Sequence, residues 1–330
     1  MNHDKSAYQC CRLDRRQFVK RLGAAAVAGA TAPTIFDPRL AHAAPTTNSI
    51  AETAAARFYD SLSENQRGEI CLPFDDEARR RISANWHVTD IDIGDDFYTD
   101  DQRQIIGEIV RNVTSEDGYE RLLRQMDDDS GGMDNYSVAI FGDPANGQFQ
   151  WEMTGRHLTL RADGNTVDKA AFGGPLVYGH GEEDPKHNLF YYQTQKANDV
   201  FQALDPQQAK QALLTDAPSE NAVKLQGTQG DFSGVTVGQL SADQQQLVQE
   251  TLQVLLAPYR QEDVDEVMSL LKTGGGLEKL NMAFYKAEDL AGDQIWDIWR
   301  IEGPSLVWHF RGAPHVHAYI NVGIQQQTPA

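Results

Sequence analysis

The stretch DQIWDIWRIEGPSLVWHFRGAPHVHAYINVG, from Asp293 to Gly323, decides the fold of the chain. Strand-forming aliphatic and aromatic residues flank a tight turn at Gly312-Ala313-Pro314, which predicts two or three antiparallel strands. Alternate side chains of a strand share a face, so the rings of His315 and His317 point to the same side of the sheet. Two imidazoles on one face are a starting point for a metal site.

A third histidine of this stretch depends on how the two strands are paired. If Arg311 pairs with His315 across a three-residue turn, the next pair on that face is His309 opposite His317. Three imidazoles on one hairpin would suit zinc or copper. A shift of register by one residue would remove His309 from this face but would keep the His-x-His pair.

The first 43 residues have the three parts of a twin-arginine export signal. Arg15-Arg16-Gln17-Phe18-Val19-Lys20 carries the arginine pair, an apolar run follows from Leu22 to Ala32, and Ala41-His42-Ala43 is a cleavage site of small residues. This order predicts transport by the twin-arginine machinery to the periplasm or to the outside of the cell. That route carries folded proteins, often with their cofactor, and so favours a metalloprotein.

Cleavage after Ala43 would leave 287 residues, from 44 to 330, which we expect to form a single domain. No other run approaches the roughly 20 apolar residues of a membrane span, and Cys71 is the one cysteine left, so no internal disulfide can form. Removing the signal's seven basic and three acidic residues changes the formal charge from −19 to −23. Such a charge argues against nucleic acid or an anionic membrane surface as a partner.

The order of elements predicts an α+β fold, in which a mostly antiparallel sheet has helices packed around it. Helical patterns run from Ile50 to Met126, strands from Tyr136 to Phe172, helices again from Tyr192 to Leu271, and strands from Leu280 onward. No internal repeat is visible in the sequence.

The first strand region contributes His157. In Gly155-Arg156-His157-Leu158-Thr159-Leu160 the histidine shares a strand face with Thr159, opposite Leu158 and Leu160. It would join the metal site if this strand lay near the C-terminal hairpin. His180 and His187, in the acidic loop from Pro175 to Asn188, would form a rim or a second cation site, or would simply be solvated.

Both strand regions resemble a family, the bacterial domain of unknown function 3500. Phe149 to Leu160 is similar to its Trp…Gly-His-His-Leu-Ser-Leu motif, Ile298 to Pro304 to its Tyr-Arg-Ile-x-Gly-Pro, and Pro314 to Ala318 to its Asn-His-Ile-His-Ser. The resemblance implies that His157, His315 and His317 form one site, and it supplies no activity. The chain departs from the pattern at Arg156, where the family has a first histidine, and at Asn321, where it has Asp.

Two classes of function remain open at this point. The first is an exported metalloprotein that holds zinc or copper and works as a hydrolase or an oxidase, with Tyr319, Glu152 and Glu302 as candidate proton-transfer or supporting residues. Tyr319 shares the face of His315 and His317 and is the best of the three. The second is a periplasmic binding protein for a sugar or a metal, without turnover. Four tryptophans would either stack on a sugar ring or, as is more common, belong to the core: Trp151, Trp296, Trp299 and Trp308.

Overall fold

The computed structural model describes residues 44–287, 289 and 292–325, so the predicted export signal lies outside the described residues. The α-helices are α1 Ile50–Ser61, α2 Glu64–Ile70, α3 Asp100–Asn112, α4 Glu116–Ser130, α5 Tyr191–Ala203, α6 Pro206–Ala212, α7 Ala242–Leu256 and α8 Gln261–Thr273. Short 3₁₀ turns are Glu77–Arg80, Met133–Asn135, Pro144–Asn146, Ala171–Gly173, Gly227–Gln229, Val237–Gln239 and Leu277–Lys279. None of the helices in these ranges is both long and apolar enough to span a membrane.

A single sheet contains all the named strands. They are β1 Cys71–Leu72, β2 Ser137–Asp143, β3 Gln148–Gly155, β4 Leu158–Ala162, β5 Leu176–His180, β6 Leu213–Leu214, β7 Val235–Thr236, β8 Asn281–Tyr285, β9 Ile298–Gly303, β10 Leu306–Arg311 and β11 Val316–Val322. Their order is β1-β2-β3-β4-β5-β11-β10-β9-β8-β6, and β7 also pairs with β8. Every pair is antiparallel except β1–β2 and β6–β8, which confirms the predicted α+β fold with a mostly antiparallel sheet.

The two faces of the sheet differ in chemistry. One face carries the large core side chains, among them the fully buried Trp151, Trp299, Trp308 and Phe310. Helices contact the sheet along its length, and they bury apolar stripes such as Ile106, Ile109 and Val110 of α3. Alternation along the strands then gives the opposite face its polar residues, which include the pair Glu152–Arg161.

Two loop segments cover this polar face. The first strap, residues 73–90, follows β1, and the second strap, residues 215–234, follows β6. Side chains of the sheet donate to strap carbonyls: Arg161 to Arg79 at 3.0 Å and Asn321 to Val223 at 2.9 Å. Strap carbonyls therefore satisfy one part of this buried polar face, and ion pairs between its own side chains, Arg161 with Glu152 and Arg300 with Glu302, satisfy another.

The straps meet above the centre of the sheet, where β5 pairs with β11. A small apolar cluster there joins residues of both straps to the sheet: Ala84, Val177, Val223, Val307 and Tyr319. This cluster fixes both straps beside the strand that carries His315 and His317.

The chain repeats one structural plan, contrary to the expectation of no internal repeat. In each half, two helices lead to a two-residue strand, and two further helices lead to a four-stranded meander; β1 runs parallel to β2 as β6 does to β8. The helix starts match in detail, because Gln66 bonds Gln102 at 2.9 Å and Gln208 bonds Gln244 at 3.2 Å. All four glutamines also complete capping boxes at their helix starts.

Candidate metal centre

His315 and His317 lie at the start of β11 and share a face, as predicted. The register of the hairpin differs from the expected one: Arg311 pairs with His317, and His309 pairs with Tyr319. The connection is longer than expected: residues 312–316 separate Arg311 from its partner His317, whereas the expected turn has residues 312–314. The observed pairing of β10 with β11 is shifted by two residues from the expected one, and a shift of two keeps every side chain on its face. His309 therefore lies on the expected face, but opposite Tyr319 instead of His317.

His157 lies in the two-residue turn between β3 and β4, and the expectation that it continues a strand is wrong. Its φ of 57° is left-handed, which is unusual for a residue other than glycine. The turn is held by three contacts: the N–H of His157 donates to Ala84 at 2.5 Å, and the carbonyl of Arg156 accepts from Tyr136 at 2.9 Å and Gln125 at 3.1 Å. These bonds offset the roughly 1–3 kcal/mol cost of the backbone conformation.

The turn delivers His157 to the two histidines of β11. Its ring centroid lies 5.0 Å from that of His315 and 4.8 Å from that of His317. Gly179 makes room between them, because it pairs with His317, and a Cβ at this glycine would lie 3.3 Å from the Cβ of His157 and 2.2 Å from the carbonyl of Val316. Only glycine therefore fits the strand beside the cluster.

The three imidazoles can converge on one ion. One nitrogen of each lies within 4.8 Å of the others, and Nε2 of His315 is 3.0 Å from Nε2 of His317. Two nitrogens bound to a tetrahedral zinc at about 2.05 Å would be about 3.3 Å apart. The β11 pair already has nearly this spacing, and His157 needs a movement of about 1–2 Å to complete it.

Asp129 orients His157. Its Oδ2 lies 2.7 Å from Nδ1 of His157 and accepts from Gln125 at 3.1 Å, while its Oδ1 accepts the N–H of Gly181 at 2.8 Å. Asp129 sits in the last turn of α4, three residues beyond Met126, where the predicted helical pattern ends. No local pattern distinguishes it from the two preceding aspartates.

Glu220 orients His317 in the same way from the second strap. Its carboxylate oxygens lie 3.1 and 3.2 Å from Nδ1 of His317, and Oε1 also accepts the hydroxyl of Tyr319 at 3.2 Å. Sequence reasoning missed Glu220 because it lies in a loop almost a hundred residues from its partners, without any motif. Tyr319, a candidate catalytic residue, is therefore linked to His317 through the Glu220 carboxylate.

The pKa shifts favour the neutral form of His315 and His317 and the charged form of Glu220. Burial lowers the pKa of His315 to about 4, and the neighbouring His317, His157 and Arg311 add to the shift. Burial alone would raise the pKa of Glu220, but the bond from His317 and the nearby positive charges lower it to about 2. Because burial also lowers the pKa of His317, the pair at pH 7 is a carboxylate that accepts a hydrogen bond from a neutral ring.

The other residues named from the sequence lie away from these rings. His309 is buried on the same face but pairs with Arg300 in the neighbouring strand, and burial followed by the charge of Arg300 lowers its pKa to about 3. Glu152 is fully buried and bonds Gln150 and Arg161, each at 2.7 Å. Neither belongs to the three-histidine group.

Two more histidines, His180 and His187, and most of the named tryptophans lie outside the three-histidine group, in the core or at the surface. His180 is buried, lies 3.2 Å from Asp128 and accepts the N–H of Leu189, so it closes the loop that follows β5. His187 has an exposed side chain beside Asp184. Among the tryptophans expected to stack on a sugar, three are fully buried in the core: Trp151, Trp299 and Trp308.

Comparison with protein-family models gives one decisive match. Residues 44–321 match the family described as a protein of unknown function, DUF3500. The chain belongs to this family. The predicted resemblance is thereby confirmed, and DUF3500 membership brings no activity with it. Comparisons with curated proteins and with solved structures found no match.

Proposed function

We propose that this DUF3500 protein binds one transition-metal ion through Nε2 of His157, His315 and His317, and that the metal serves catalysis. The observation that carries the proposal is the pair of carboxylates behind two of the rings. Because Nδ1 of His157 faces Asp129 and Nδ1 of His317 faces Glu220, both rings present Nε2 to the shared centre. Carboxylate partners of this kind fix the tautomer and orientation of metal-ligating histidines.

Zinc is the ion that these ligands favour. The three donors are imidazole nitrogens, and three protein ligands with a fourth position open are the arrangement of catalytic zinc. Copper is the second candidate, since imidazole also suits copper, although the soft sulfur ligands that select Cu(I) are not part of the group. Zinc would support a hydrolase, whereas copper would support an oxidase.

The surrounding residues suit hydrolytic chemistry. Bound zinc lowers the pKa of a coordinated water to about 7 and so supplies a nucleophile. Glu220 accepts a hydrogen bond from Tyr319 and one from His317, so it can hold a proton-transfer chain on one side of the centre. Burial and the charge of Glu220 raise the pKa of Tyr319, which keeps its hydroxyl protonated as a donor.

Export completes the proposal and rests on the sequence. The arginine pair, apolar run and cleavage site of residues 1–43 support delivery to the periplasm or to the outside of the cell by the twin-arginine machinery. Replacing Arg15 and Arg16 by Lys should leave the unprocessed protein in the cytoplasm. Normal delivery of that double variant would refute this part of the proposal.

Metal content of the purified protein tests the proposal. We expect about one zinc or copper per chain, and loss of most of it in His315→Ala and in His317→Ala, since each change removes one of three ligands. His187→Ala is the matched control, because that side chain is exposed and outside the group, and it should keep the parent's metal. A folded parent without metal, or unchanged metal in both ligand variants, would favour a binding protein without a metal centre.

A further inference from the structure

We propose that the metal centre binds its substrate through an oxyanion, a carboxylate or phosphate group held between the metal and the guanidinium groups of Arg311 and Arg156. This inference rests on the proposed function and adds the chemical class of the substrate. Its basis is the placement of two arginines beside the cluster: Arg311 contacts the partly exposed ring of His315, and Arg156 precedes His157 in the turn.

Arg311 lies directly against the nitrogens that would hold the metal. Its Nη2 is 3.5 Å from Nε2 of His315, and its Nε is 3.3 Å from Oε2 of Glu220. Neither contact uses the guanidinium well, because the first is at the limit of a hydrogen bond and Nε has no hydrogen-bond partner within the described residues. A planar group with donors to spare can take an oxyanion in a bidentate manner.

Arg156 lies beside His157. It precedes His157 in the turn, its side chain is exposed, and it forms no salt bridge within the described part of the chain. A Cβ placed on Gly181 would lie 3.1 Å from Nη2 of Arg156 and 3.3 Å from Cε1 of His157. The same Cβ would lie 2.6 Å from Oδ1 of Asp129, so only glycine lets this backbone lie close to both the guanidinium and the ring.

The charges around the centre also call for an anion. Asp129 and Glu220 supply two negative charges, and Arg156 and Arg311 supply two positive ones, so these four side chains balance when the imidazoles are neutral. A divalent ion then adds two positive charges a few ångströms from Arg311. Such repulsion in a half-buried site is relieved when an anion bridges the metal and the guanidinium.

Anion titrations of the metal-loaded protein test the inference. Cobalt(II) would replace zinc as a visible probe, and inorganic phosphate and acetate would be titrated against its absorption bands. Metal content is measured first in the parent and in Arg311→Gln, Arg156→Gln and Arg57→Gln. Arg57 is the matched control, because it forms an exposed ion pair with Glu108 on the helical side of the fold.

The inference predicts saturable binding of phosphate or acetate to the cobalt-loaded parent, and the tighter of the two names the substrate group. Affinity should fall at least about tenfold in Arg311→Gln and to a smaller extent in Arg156→Gln, and Arg57→Gln should match the parent. Metal-loaded Arg311→Gln and Arg156→Gln proteins that bind both anions like the parent would overturn it. If Arg311→Gln loses its metal, Arg156→Gln alone decides. A parent that binds no metal would refute the proposed function instead.

Discussion

Replacing Asp129 by Asn tests how the protein orients His157. The carboxylate accepts from three donors: Nδ1 of His157 at 2.7 Å, the side chain of Gln125 at 3.1 Å and the N–H of Gly181 at 2.8 Å. An amide has one accepting oxygen and one donating NH₂ group. In either orientation of the substituted amide, its NH₂ group therefore faces another hydrogen-bond donor.

The direction of the amide decides the nature of the damage. If its NH₂ group faces His157, the ring must accept at Nδ1 and carry its proton on Nε2, where the metal should bind. If its oxygen faces His157, the NH₂ group opposes the N–H of Gly181. Losing the partner of a metal-ligating histidine costs about 10–100-fold in metal affinity, or about 1.4–2.7 kcal/mol. We expect the upper part of this range, because the Asp129 side chain is only 4% exposed.

The assay is a competition titration of zinc against a chromophoric chelator, together with urea unfolding of the metal-free protein. Unfolding should show a loss of about 1.5–3 kcal/mol, the contribution of a hydrogen bond to a charged group. Asp128→Asn is the control, since the neighbouring aspartate bonds His180 and does not contact the cluster. Zinc affinity of Asp129→Asn equal to that of Asp128→Asn would show that the carboxylate does not orient a ligand.

Four further substitutions probe the second carboxylate, the buried His309 and the matched helix starts. Glu220→Gln should weaken zinc binding by about tenfold, less than Asp129→Asn, because Glu220 is more exposed and its bonds are longer; competition titration measures this. The pKa of His309 is about 3 in the fold, so between about pH 6.5 and pH 3 the unfolded chain binds a proton that the folded protein does not, and stability should fall as the pH drops. His309→Gln should remove up to about 1.4 kcal/mol per pH unit of that slope, measured by urea unfolding. Gln102→Ala and Gln244→Ala should each lower the free energy of unfolding by about 2–4 kcal/mol, because each leaves several hydrogen-bond partners unpaired. Similar losses in the two variants would support equivalent roles in the two halves.

Side chains alternate between the two faces of a strand, and this two-residue period explains which part of the site the sequence could predict. His315 and His317 are two residues apart, so they share a face in any register, and this prediction did not depend on the turn. The position of His309 did depend on it, and the wider connection after Arg311 placed His309 opposite Tyr319 instead of His317. His157 was placed with the pair by family resemblance, since a left-handed residue in a two-residue turn has no signal in a single sequence.

The two carboxylates show what sequence reasoning could not reach. Asp129 lies near the end of a helix and Glu220 lies in a loop, and each contacts a histidine that is distant in the sequence, so no local pattern connects the partners. The structural repeat was missed for a similar reason. Few residues mark it, chiefly the capping glutamines such as Gln66 and Gln208, and unequal loops separate the matching strands of the two halves. Fold class needed only the order of helical and strand patterns, which is why it was predicted correctly.

Anomalous diffraction from crystals of the zinc-loaded protein, with data on both sides of the zinc absorption edge, tests whether the three histidines hold one ion. We expect one strong peak within about 2.1 Å of Nε2 of His157, His315 and His317, with Asp129 and Glu220 still bonded to the Nδ1 atoms of His157 and His317. No peak among these three rings, or a peak bound through Nδ1 of His157 or His317, would contradict it.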